Sequence, residues 1–438
     1  MDYFQLLKKQ ATKMPTKNFL ITAQTEHSYQ EVYQDVLSFV AAYQGKLTGK
    51  HVPILIVRQA VYDQLIGFLG CLALGQIPIL AHYDLPQENL QRLQQKNHLP
   101  YLLRETVLEI ATAGKIEQQP QEICMGVLSS GSTDVPKVMY RTYESWADFF
   151  PKQNKMFAVK ADSTLFMEGS MSFTGNLNIW AGALYEGATM VISERLNCRS
   201  WLAALEKYQV QIIYLVPTKL RLLVKFLHKS YPVVTMLLAG SQLLDTALAK
   251  KLKQGFPHGQ ILLYYGASEL NYITSLTYEE LLSQPGSVGK ACPGVTVTTK
   301  DGYIYVDTPY HVAGITCPFT LQDRGYFNEA GYLIFQGREG DVVNKGGFKI
   351  NCTKVANTFR KVAEVENVVV LAYQQAERDK EIAAFVVTQQ ALDKVQLRHK
   401  LSALLQPSEI PKRIIFVDNI PLNSLGKIDK QQLLALLK

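Results

Sequence analysis

A cluster of hydroxyl and glycine residues followed by a lysine lies directly after the apolar stretch ICMGVL. The cluster consists of Ser129, Ser130, Gly131, Ser132, Thr133, Asp134, Val135, Pro136 and Lys137. Hydroxyl and backbone N–H groups donate to phosphate oxygens, glycine lets the backbone approach, and lysine adds positive charge. The second glycine and terminal hydroxyl of the GxxxxGK[ST] pattern are missing. The run is therefore typical either of a phosphate-binding loop or of a polar surface loop.

A second group closes the apolar stretch ILLYY and reads Tyr264, Tyr265, Gly266, Ala267, Ser268 and Glu269. A tyrosine ring can lie flat against a nucleobase. The carboxylate of Glu269 could hold Mg²⁺ beside a triphosphate, because Mg²⁺ prefers oxygen ligands. By itself, the segment is better explained as the end of a strand with an ordinary glycine turn.

Two further segments combine charge with glycine. In the first, Asp323 and Arg324 precede Gly325, and Arg338 follows Gly337. An aspartate can accept from ribose hydroxyls and an arginine can bind phosphate or ribose oxygens, although a hairpin with solvated charges fits as well. The second segment, PLNSLGKI, carries Lys427 after a glycine and gives no signal alone.

The elements around these groups alternate between buried strands and helices. Apolar runs at 52–57, 77–80, 188–193, 211–216, 234–240 and 261–266 predict strands, and the spacing at 58–74, 199–208, 218–228 and 243–254 predicts helices. This alternation favours an α/β fold with parallel-rich sheets covered on both faces. Ligands collect at the carboxyl ends of such strands, where we expect the loops at Gly240 and Gly266.

The pattern changes twice towards the C-terminus. Residues 286–337 are rich in short strands and turns, which predicts an antiparallel or barrel-like subdomain. After Gly337, the strands VENVVVLAY, EIAAFVVT and RIIFVD and the helix LRHKLSALL predict a small α+β module.

Composition excludes several classes of protein. The chain has 438 residues, 47% of them apolar and 19% charged, as in globular proteins. The net charge is +7, but the basic residues form no stripe or tail, so we expect no nucleic-acid partner. The most apolar stretch, 65–80, is broken by glycines, Gln76 and Pro78, so we expect no membrane span and a cytoplasmic location.

Taken together and in this order, the motifs resemble those of the adenylate-forming superfamily of acyl-CoA synthetases, peptide-synthetase adenylation domains and firefly luciferases. The resemblance rests on SSGSTDVPK, YGASE, LQDRGYF, GREGDVVNKGGFKI and PLNSLGKID. Matches elsewhere extend it over nearly the whole chain. Asp134 replaces the glycine that is common in the family, and Ser268 occupies the threonine position of the Tyr-Gly-x-Thr-Glu motif.

The resemblance implies a two-domain enzyme that uses ATP and Mg²⁺ to convert a small carboxylic acid into acyl-AMP with release of pyrophosphate. The acyl group would then pass to the thiol of CoA or to phosphopantetheine on an acyl carrier protein. It implies an N-terminal ATP- and acid-binding domain over 1–338, with the barrel-like part at about 286–337. A mobile C-terminal lid over 339–438 would carry Lys427, and Gly340 would be the hinge, where Asp or Lys is common.

The resemblance also assigns roles to residues. The phosphates would be bound by Ser129, Ser130, Gly131, Ser132, Thr133 and Lys137. The adenosine and α-phosphate would be bound by Tyr265, Gly266, Ala267, Ser268, Asp323, Arg338 and the Ala239, Gly240, Ser241 turn. Lys427, Thr133 and Glu269 would be catalytic, with Glu269 on Mg²⁺. The thiol would approach Lys345, Gly346 and Gly347.

The acid pocket is where the chain departs most from the family. Ser172, Phe173, Gly240 and Gly266 would line it, but the histidine often found in segment 169–175 is absent. No aspartate lies between Glu168 and Glu186 to pair with a substrate ammonium group, which disfavours an α-amino acid. Glu168 itself leaves that point open, and each of these residues could instead belong to the core. The apolar segment suits a fatty, aryl or other uncharged acyl group.

Three functions remain in competition on the sequence. The first is an acyl-CoA synthetase and the second is a ligase that loads a carrier protein. Lys345, Lys349, Lys354, Arg360 and Lys361 could meet CoA phosphates or an acidic carrier protein equally well. The third, a non-catalytic nucleotide-binding protein, is disfavoured because the residues expected to be catalytic are all present.

Overall fold

A computed structural model describes residues 2–110, 118–129, 136–338, 342–345, 348–374, 380–388, 392–423 and 428–437. The chain divides into two compact units. The first unit comprises Met1–Ser283, Ala291–Thr296 and Asp307–Cys317, and the second comprises Gln284–Lys290, Val297–Val306 and Pro318–Lys438.

The first unit alternates helices with strands. Its helices are α1 Tyr3–Lys13, α2 Tyr29–Tyr43, α3 Val61–Ala73, α4 Gln87–Lys96, α5 Glu144–Ala147, α6 Phe150–Met156, α7 Thr174–Glu186, α8 Cys198–Lys207, α9 Pro217–Phe226, α10 Thr246–Gly255 and α11 Tyr278–Ser283. Its strands are β1 Asn18–Ile21, β2 Glu26–Ser28, β3 Pro53–Val57, β4 Ile77–Leu80, β5 Tyr101–Arg104, β6 Val107–Ile110, β7 Ile123–Leu128, β8 Val138–Thr142, β9 Thr164–Glu168, β10 Thr189–Ser193, β11 Ile212–Tyr214, β12 Met236–Ala239, β13 Gln260–Ala267 and β14 Asn271–Thr277.

These strands form two sheets. In one, the strands of this unit have the order β14-β13-β12-β11-β9-β10-β1-β2, and the other has the order β6-β5-β3-β4-β7-β8. The pairs joining β9 to β10, β9 to β11, β11 to β12 and β12 to β13 are parallel. The expectation of parallel sheets is thus confirmed, as are the strands and helices predicted between residues 52 and 80 and between 188 and 266.

The core explains why these segments became strands and helices. Every residue of β3, β4 and β12 is buried, as expected where helices cover both faces of a sheet. Helix α3 buries nearly all of its side chains, including Leu65, Phe68 and Leu69. The apolar run over 65–80 is therefore a buried helix feeding the buried strand β4.

The second unit contains the remaining elements wholly or mainly. Its strands are β15 Ser287–Ala291, β16 Thr296–Lys300, β17 Tyr303–Asp307, β18 Asp323–Phe327, β19 Leu333–Arg338, β20 Val342–Lys345, β21 Phe348–Asn351, β22 Val365–Gln374, β23 Lys380–Thr388 and β24 Arg413–Phe416. Its helices are α12 Cys352–Phe359, α13 Lys394–Ser402 and α14 Lys430–Ala435, with a 3₁₀ turn at Pro407–Glu409.

The strands of the second unit confirm the antiparallel pairing expected from the sequence. β15, β17, β18 and β19 pair antiparallel in the order β17-β18-β19-β15. Further along the chain, β22, β23 and β24 form a sheet that is apolar on both faces, because Val368 and Val370 join one buried cluster and Val369 and Leu371 join another. A domain boundary at 338/339 stays a prediction, because residues 339–341 lie outside the described residues.

Within the described ranges, no helix has both the length and the apolar character needed to cross a bilayer. A cytoplasmic location stays a prediction.

Candidate active site

The carboxyl ends of four neighbouring parallel strands meet at one edge of the larger sheet in the first unit. Tyr214 at the end of β11 is in register with Met167 of β9 and Leu238 of β12, and Ala239 is in register with Leu263 of β13. Segments 169–175 and 240–241, which follow β9 and β12, therefore lie at the same edge as residues 265–269, the end of β13 and the two residues after it. The expected placement of Gly240 and Gly266 at strand ends is confirmed, and the segment carrying Ser172 and Phe173 joins them.

Two buried tyrosines link these segments. The hydroxyls of Tyr214 and Tyr264 are 2.8 Å apart and their rings are stacked. A side chain at Gly240 would overlap the ring of Tyr264, and one at Gly175 would overlap the hydroxyl of Tyr214. Burial raises the pKa of Tyr264 to about 12, against hydrogen bonds to Tyr214 and Ser241 that lower it. The pair therefore stays neutral, and Gly175 in the first turn of α7 and Gly240 after β12 pack directly against it.

The segment from Tyr265 to Glu269 is half-buried where β13 ends. A bulge separates Tyr265 from Gly266, and a Cβ atom at Gly266 would lie 2.5 Å from the carbonyl oxygen of Asn271. Only glycine fits at that distance from a backbone atom. Since successive strand side chains point to opposite faces, Tyr265 faces away from the buried Tyr264.

The described ends of the hydroxyl-rich loop are fixed by hydrogen bonds. Ser129 N donates to the carbonyl of Lys137 at 2.9 Å, and Lys137 N donates to Ser129 Oγ at 2.9 Å. Asn97 donates to the carbonyl of Pro136 and accepts from Val138 N. The side chain of Lys137 is exposed. The predicted phosphate-binding residues Ser130, Gly131, Ser132 and Thr133 lie outside the described residues.

An ion pair that the sequence did not reveal lies beside Gly169, at the start of the segment predicted to line the acid pocket. Glu168, the last residue of β9, pairs through Oε2 with Lys219 Nζ, and the two side chains are 8% and 9% exposed. A carboxylate already paired with a lysine of its own chain is less available to pair with a substrate ammonium group. Lys219 was missed, although a lysine between the buried residues Val216, Leu220 and Leu223 of α9 was a signal of a buried charge.

Hydrogen bonds order the rest of this segment. Gln64 Oε1 accepts from Ser170 Oγ at 3.0 Å and from Met171 N at 2.9 Å. The hydroxyls of Ser170 and Ser172 are 2.9 Å apart. Asn176 Nδ2 donates to the carbonyls of Glu168 and Ser170. Ser172 is therefore held by polar contacts, whereas Phe173 precedes the first turn of α7.

In the second unit, the two residues predicted to bind ribose lie opposite each other. Asp323 on β18 is in register with Arg338 on β19, and Arg338 Nε donates to Asp323 Oδ1 at 2.9 Å. The side chain of Asp323 is 1% exposed and that of Arg338 is 56% exposed. The arginine therefore orients a buried carboxylate and keeps much of its own surface available.

The predicted thiol face is described only in part. Lys345 Nζ lies 3.0 Å from Glu381 Oε1, and Lys354 Nζ lies 2.6 Å from Glu409 Oε1. Two of the predicted basic residues are therefore already paired within the unit. Gly346, Gly347 and the predicted hinge Gly340 lie outside the described residues.

Lys427 also lies outside the described residues, but both ends of its segment are anchored. Leu422 and Ile428 form an antiparallel bridge, and Asp429 N donates to the carbonyl of Pro421 at 2.9 Å. The segment that carries Lys427 is thus closed by backbone pairing at its base.

The donor set suits Mg²⁺ held together with a nucleotide. Glu269 offers one half-buried carboxylate at the sheet edge, and the described residues hold no cluster of three or more His, Cys, Asp or Glu side chains. Proteins commonly bind Mg²⁺ through one or two carboxylates plus substrate phosphates. Glu269 fits that pattern, whereas a resident metal centre built only of protein ligands would need more donors.

Comparison with known proteins identifies the family. The sequence model described as AMP-binding enzyme matches residues 95–315, which is half of the chain. The chain belongs to the AMP-binding enzyme family. The match covers β7 and β8 with the loop between them, and also the segments at the sheet edge of this AMP-binding enzyme. The predicted superfamily and the expectation of an enzyme are confirmed.

Two relatives show how far the similarity extends. This AMP-binding enzyme is 26% identical over 324 residues to an uncharacterised acyl-CoA ligase of Bacillus subtilis (strain 168), with 69% of this chain and 66% of that relative covered. It is 20% identical over 500 residues to the D-alanine–D-alanyl carrier protein ligase of Bacillus cereus (strain B4264), with 99% of each chain covered.

A solved structure shows the same fold. It is the o-succinylbenzoate CoA synthetase of Bacillus subtilis in complex with ATP and a magnesium ion. The TM-score is 0.81 at 18% identity, and the alignment covers 98% of this AMP-binding enzyme and 98% of that chain. At that identity the likeness shows the adenylate-forming fold and no particular substrate.

Removing Lys219 tests the role of the buried ion pair. We expect Lys219→Met to lower the free energy of unfolding by about 3–5 kcal/mol, because it leaves the carboxylate of Glu168 buried without a partner. The double variant Lys219→Met/Glu168→Gln removes both charges and should recover most of that loss. Urea unfolding at neutral pH measures both variants. Equal losses in the single and double variants would show that the ion pair is not what stabilises this region.

Proposed function

We propose that this enzyme activates a carboxylic acid with ATP to form an acyl-adenylate, and then transfers the acyl group to the thiol of CoA. The observation that carries the proposal is the meeting of segments 169–175, 240–241 and 265–269 at one edge of a parallel sheet. In α/β sheets, ligands bind outside the carboxyl ends of strands. The family match includes all three segments.

The nucleotide is expected to bind through residues whose local geometry suits each contact. Tyr265, facing away from the core, would stack on adenine beside the Ala239–Ser241 turn. Ser268 would contact the α-phosphate. Glu269 would hold Mg²⁺, which offsets the negative charge of the triphosphate. Asp323 would accept from the ribose hydroxyls, since Arg338 already orients its carboxylate.

The chemistry is a displacement at phosphorus followed by acyl transfer. A carboxylate oxygen attacks the α-phosphorus of ATP, the bond to the β-phosphate oxygen breaks, and pyrophosphate leaves. The thiol sulfur then attacks the acyl carbonyl, the bond to AMP breaks, and the thiol proton passes to solvent. No covalent bond to the protein is needed, so the side chains act by positioning and by stabilising charge. Lys427 would stabilise the charge on the α-phosphoryl oxygens, and Thr133 would hold the outer phosphates.

The substrate is expected to be an acid without a cationic group. Glu168 directly precedes segment 169–175 of the predicted acid pocket, and it is paired with Lys219. An ammonium group placed there would be desolvated without a partner, at a large cost in free energy. The neighbouring Phe173 and the backbone at Gly240 and Gly266 suit an uncharged fatty or aryl chain.

CoA is the proposed acceptor, and a carrier-protein phosphopantetheine is the second candidate. The carrier protein is favoured by the D-alanine–D-alanyl carrier protein ligase, which matches along 99% of both chains. The pairing of Lys345 with Glu381 and of Lys354 with Glu409 leaves less free positive charge for CoA phosphates and for an acidic carrier protein alike.

Acid-dependent exchange of labelled pyrophosphate into ATP tests the function. The panel should contain fatty and aryl acids, each with an amino-substituted partner of matched size. We expect exchange with one group of acids that carry no amino group. The amino-substituted acids of matched size should give at least about 10-fold less exchange, because an unpaired ammonium is costly to bury. Exchange with amino acids alone would contradict the proposed substrate class, and absence of exchange with every acid would contradict the activity.

To identify the acceptor, the enzyme is incubated with ATP, the preferred acid and either CoA or a phosphopantetheinylated carrier protein, and thioester formation is measured. Turnover with CoA supports the proposed acceptor. Turnover with a carrier protein alone would establish the second candidate instead.

Lys427 can be tested against a lysine in the same segment. We expect Lys427→Ala to slow pyrophosphate exchange by roughly 10²-fold or more, as expected on losing a group that stabilises transition-state charge. Lys430→Ala, which removes an exposed lysine from the first turn of α14, should leave exchange within about 2-fold, because surface substitutions away from a site have small effects. Near-normal exchange by Lys427→Ala would remove Lys427 from the adenylation step.

A further inference from the structure

Arg141 is a charged residue in the first unit that the proposed chemistry does not use and the core does not explain. It lies on β8, where it pairs with Met125 of β7, and it is 0% exposed. Burying a guanidinium group is costly unless its donors find acceptors. Both Nη atoms of Arg141 find acceptors, whereas its buried Nε has none among the described residues. The position of its acceptors therefore shows what the residue holds in place.

The guanidinium donates to three oxygens. Nη2 donates to the carbonyl of Ser268 at 2.6 Å, and Nη1 donates to the carbonyl of Tyr310 at 3.0 Å and to Ser145 Oγ at 3.1 Å. The guanidinium carbon lies 5.3 Å from the centre of the Trp146 ring. The short bond to Ser268 is notable because that residue directly precedes Glu269. A charged guanidinium group that donates to two carbonyls fixes the backbone more firmly than a neutral donor does.

Arg141 carries its charge at neutral pH. Burial lowers its pKa to about 10, while the nearby groups of Tyr3 and Glu269 act in the opposite direction. A permanent positive charge is thus held close to the carboxylate proposed to bind Mg²⁺.

Two backbone hydrogen bonds join the same elements. Val312 N donates to the carbonyl of Glu269 at 2.9 Å, and Ala313 N donates to the carbonyl of Tyr140 at 2.8 Å. Residues 268–269 at the end of β13, residues 310–313 and strand β8 are therefore linked around Arg141. β8 begins directly after Lys137, the last residue of the hydroxyl-rich loop. The linkage thus connects the exit of that loop, in one sheet, to the Ser268–Glu269 turn of the other sheet.

We propose that Arg141 is a positioning residue for Mg²⁺-ATP, which sets the Ser268–Glu269 turn relative to strand β8 through its bond to the carbonyl of Ser268. The inference rests on the proposed function and extends it to a residue outside the recognised motifs. Arg141 itself touches neither nucleotide nor acid, and it acts through the backbone of Ser268.

Variants at Arg141 separate this role from a purely structural one. Arg141→Met removes the charge and all three hydrogen bonds of the guanidinium group. Arg141→Lys keeps the charge but cannot donate to all three oxygens. Lys152→Met is the matched control, because Lys152 Nζ contacts the hydroxyl of Tyr310 at 2.5 Å and its ring at 5.2 Å. It removes a cation from the same tyrosine without touching Ser268.

The measurements are Mg²⁺-ATP binding by titration calorimetry, the Mg²⁺ concentration that half-saturates this binding, and the KM of the acid in pyrophosphate exchange. We expect Arg141→Met to weaken Mg²⁺-ATP binding by about 10- to 100-fold, as for other groups that orient a metal ligand, and to raise the half-saturating Mg²⁺ concentration. Arg141→Lys should fall between Arg141→Met and the wild type. The KM of the acid should stay unchanged, and Lys152→Met should bind Mg²⁺-ATP as the wild type does.

Circular dichroism and Tm establish how much of each variant is folded. If Arg141→Met does not fold, the comparison is made between Arg141→Lys and the wild type. A folded variant with wild-type Mg²⁺-ATP affinity and Mg²⁺ dependence would overturn the inference while leaving the proposed function intact. A rise in the KM of the acid by the same factor as the loss of Mg²⁺-ATP affinity would also overturn it, because that result indicates a general loss of structure. A wild-type protein that does not bind Mg²⁺-ATP would overturn the proposed function and this inference with it.

Discussion

The parallel register of β9, β11, β12 and β13 is the constraint on which the proposed site depends. Because these strands end together, three loops from distant parts of the sequence share one edge. The hydroxyl pair of Tyr214 and Tyr264 then fixes how closely two of those loops approach. Tyr265 of β13 and the segment that follows β9 could not share one edge of the sheet without this alignment.

Charges inside the protein are mostly matched by its own residues. Glu168 is paired with Lys219 and Asp323 with Arg338, while Arg141 bonds to backbone carbonyls. Each arrangement offsets the cost of burying a charge, and each also fixes the orientation of the groups it joins. A carboxylate that is already neutralised repels no acid substrate, and a carboxylate oriented by an arginine is ready to accept from hydroxyl groups. The internal pairing therefore serves the proposed chemistry as well as stability.

The sequence predicted the framework well because buried strands and helices have simple periodicities. Strand β4 was predicted to its exact bounds, and the placement of Gly240 and Gly266 at strand ends followed from the alternation alone. Lys219 and Arg141 were not predicted, because their partners, Glu168 and the carbonyl of Ser268, are 51 and 127 residues away. Contacts of that kind depend on tertiary structure, and a lone basic residue in an apolar segment does not name its partner. The roles of Thr133, Gly340 and Lys427 stay predictions from resemblance.

A crystal structure of the protein with AMP would show where the nucleotide lies against the sheet edge. We expect the adenine ring on the face of Tyr265 that points away from Tyr264, beside the Ala239–Ser241 turn, with the phosphate near Ser268. A nucleotide bound elsewhere in the first unit, with the edge formed by 169–175, 240–241 and 265–269 left empty, would contradict this expectation.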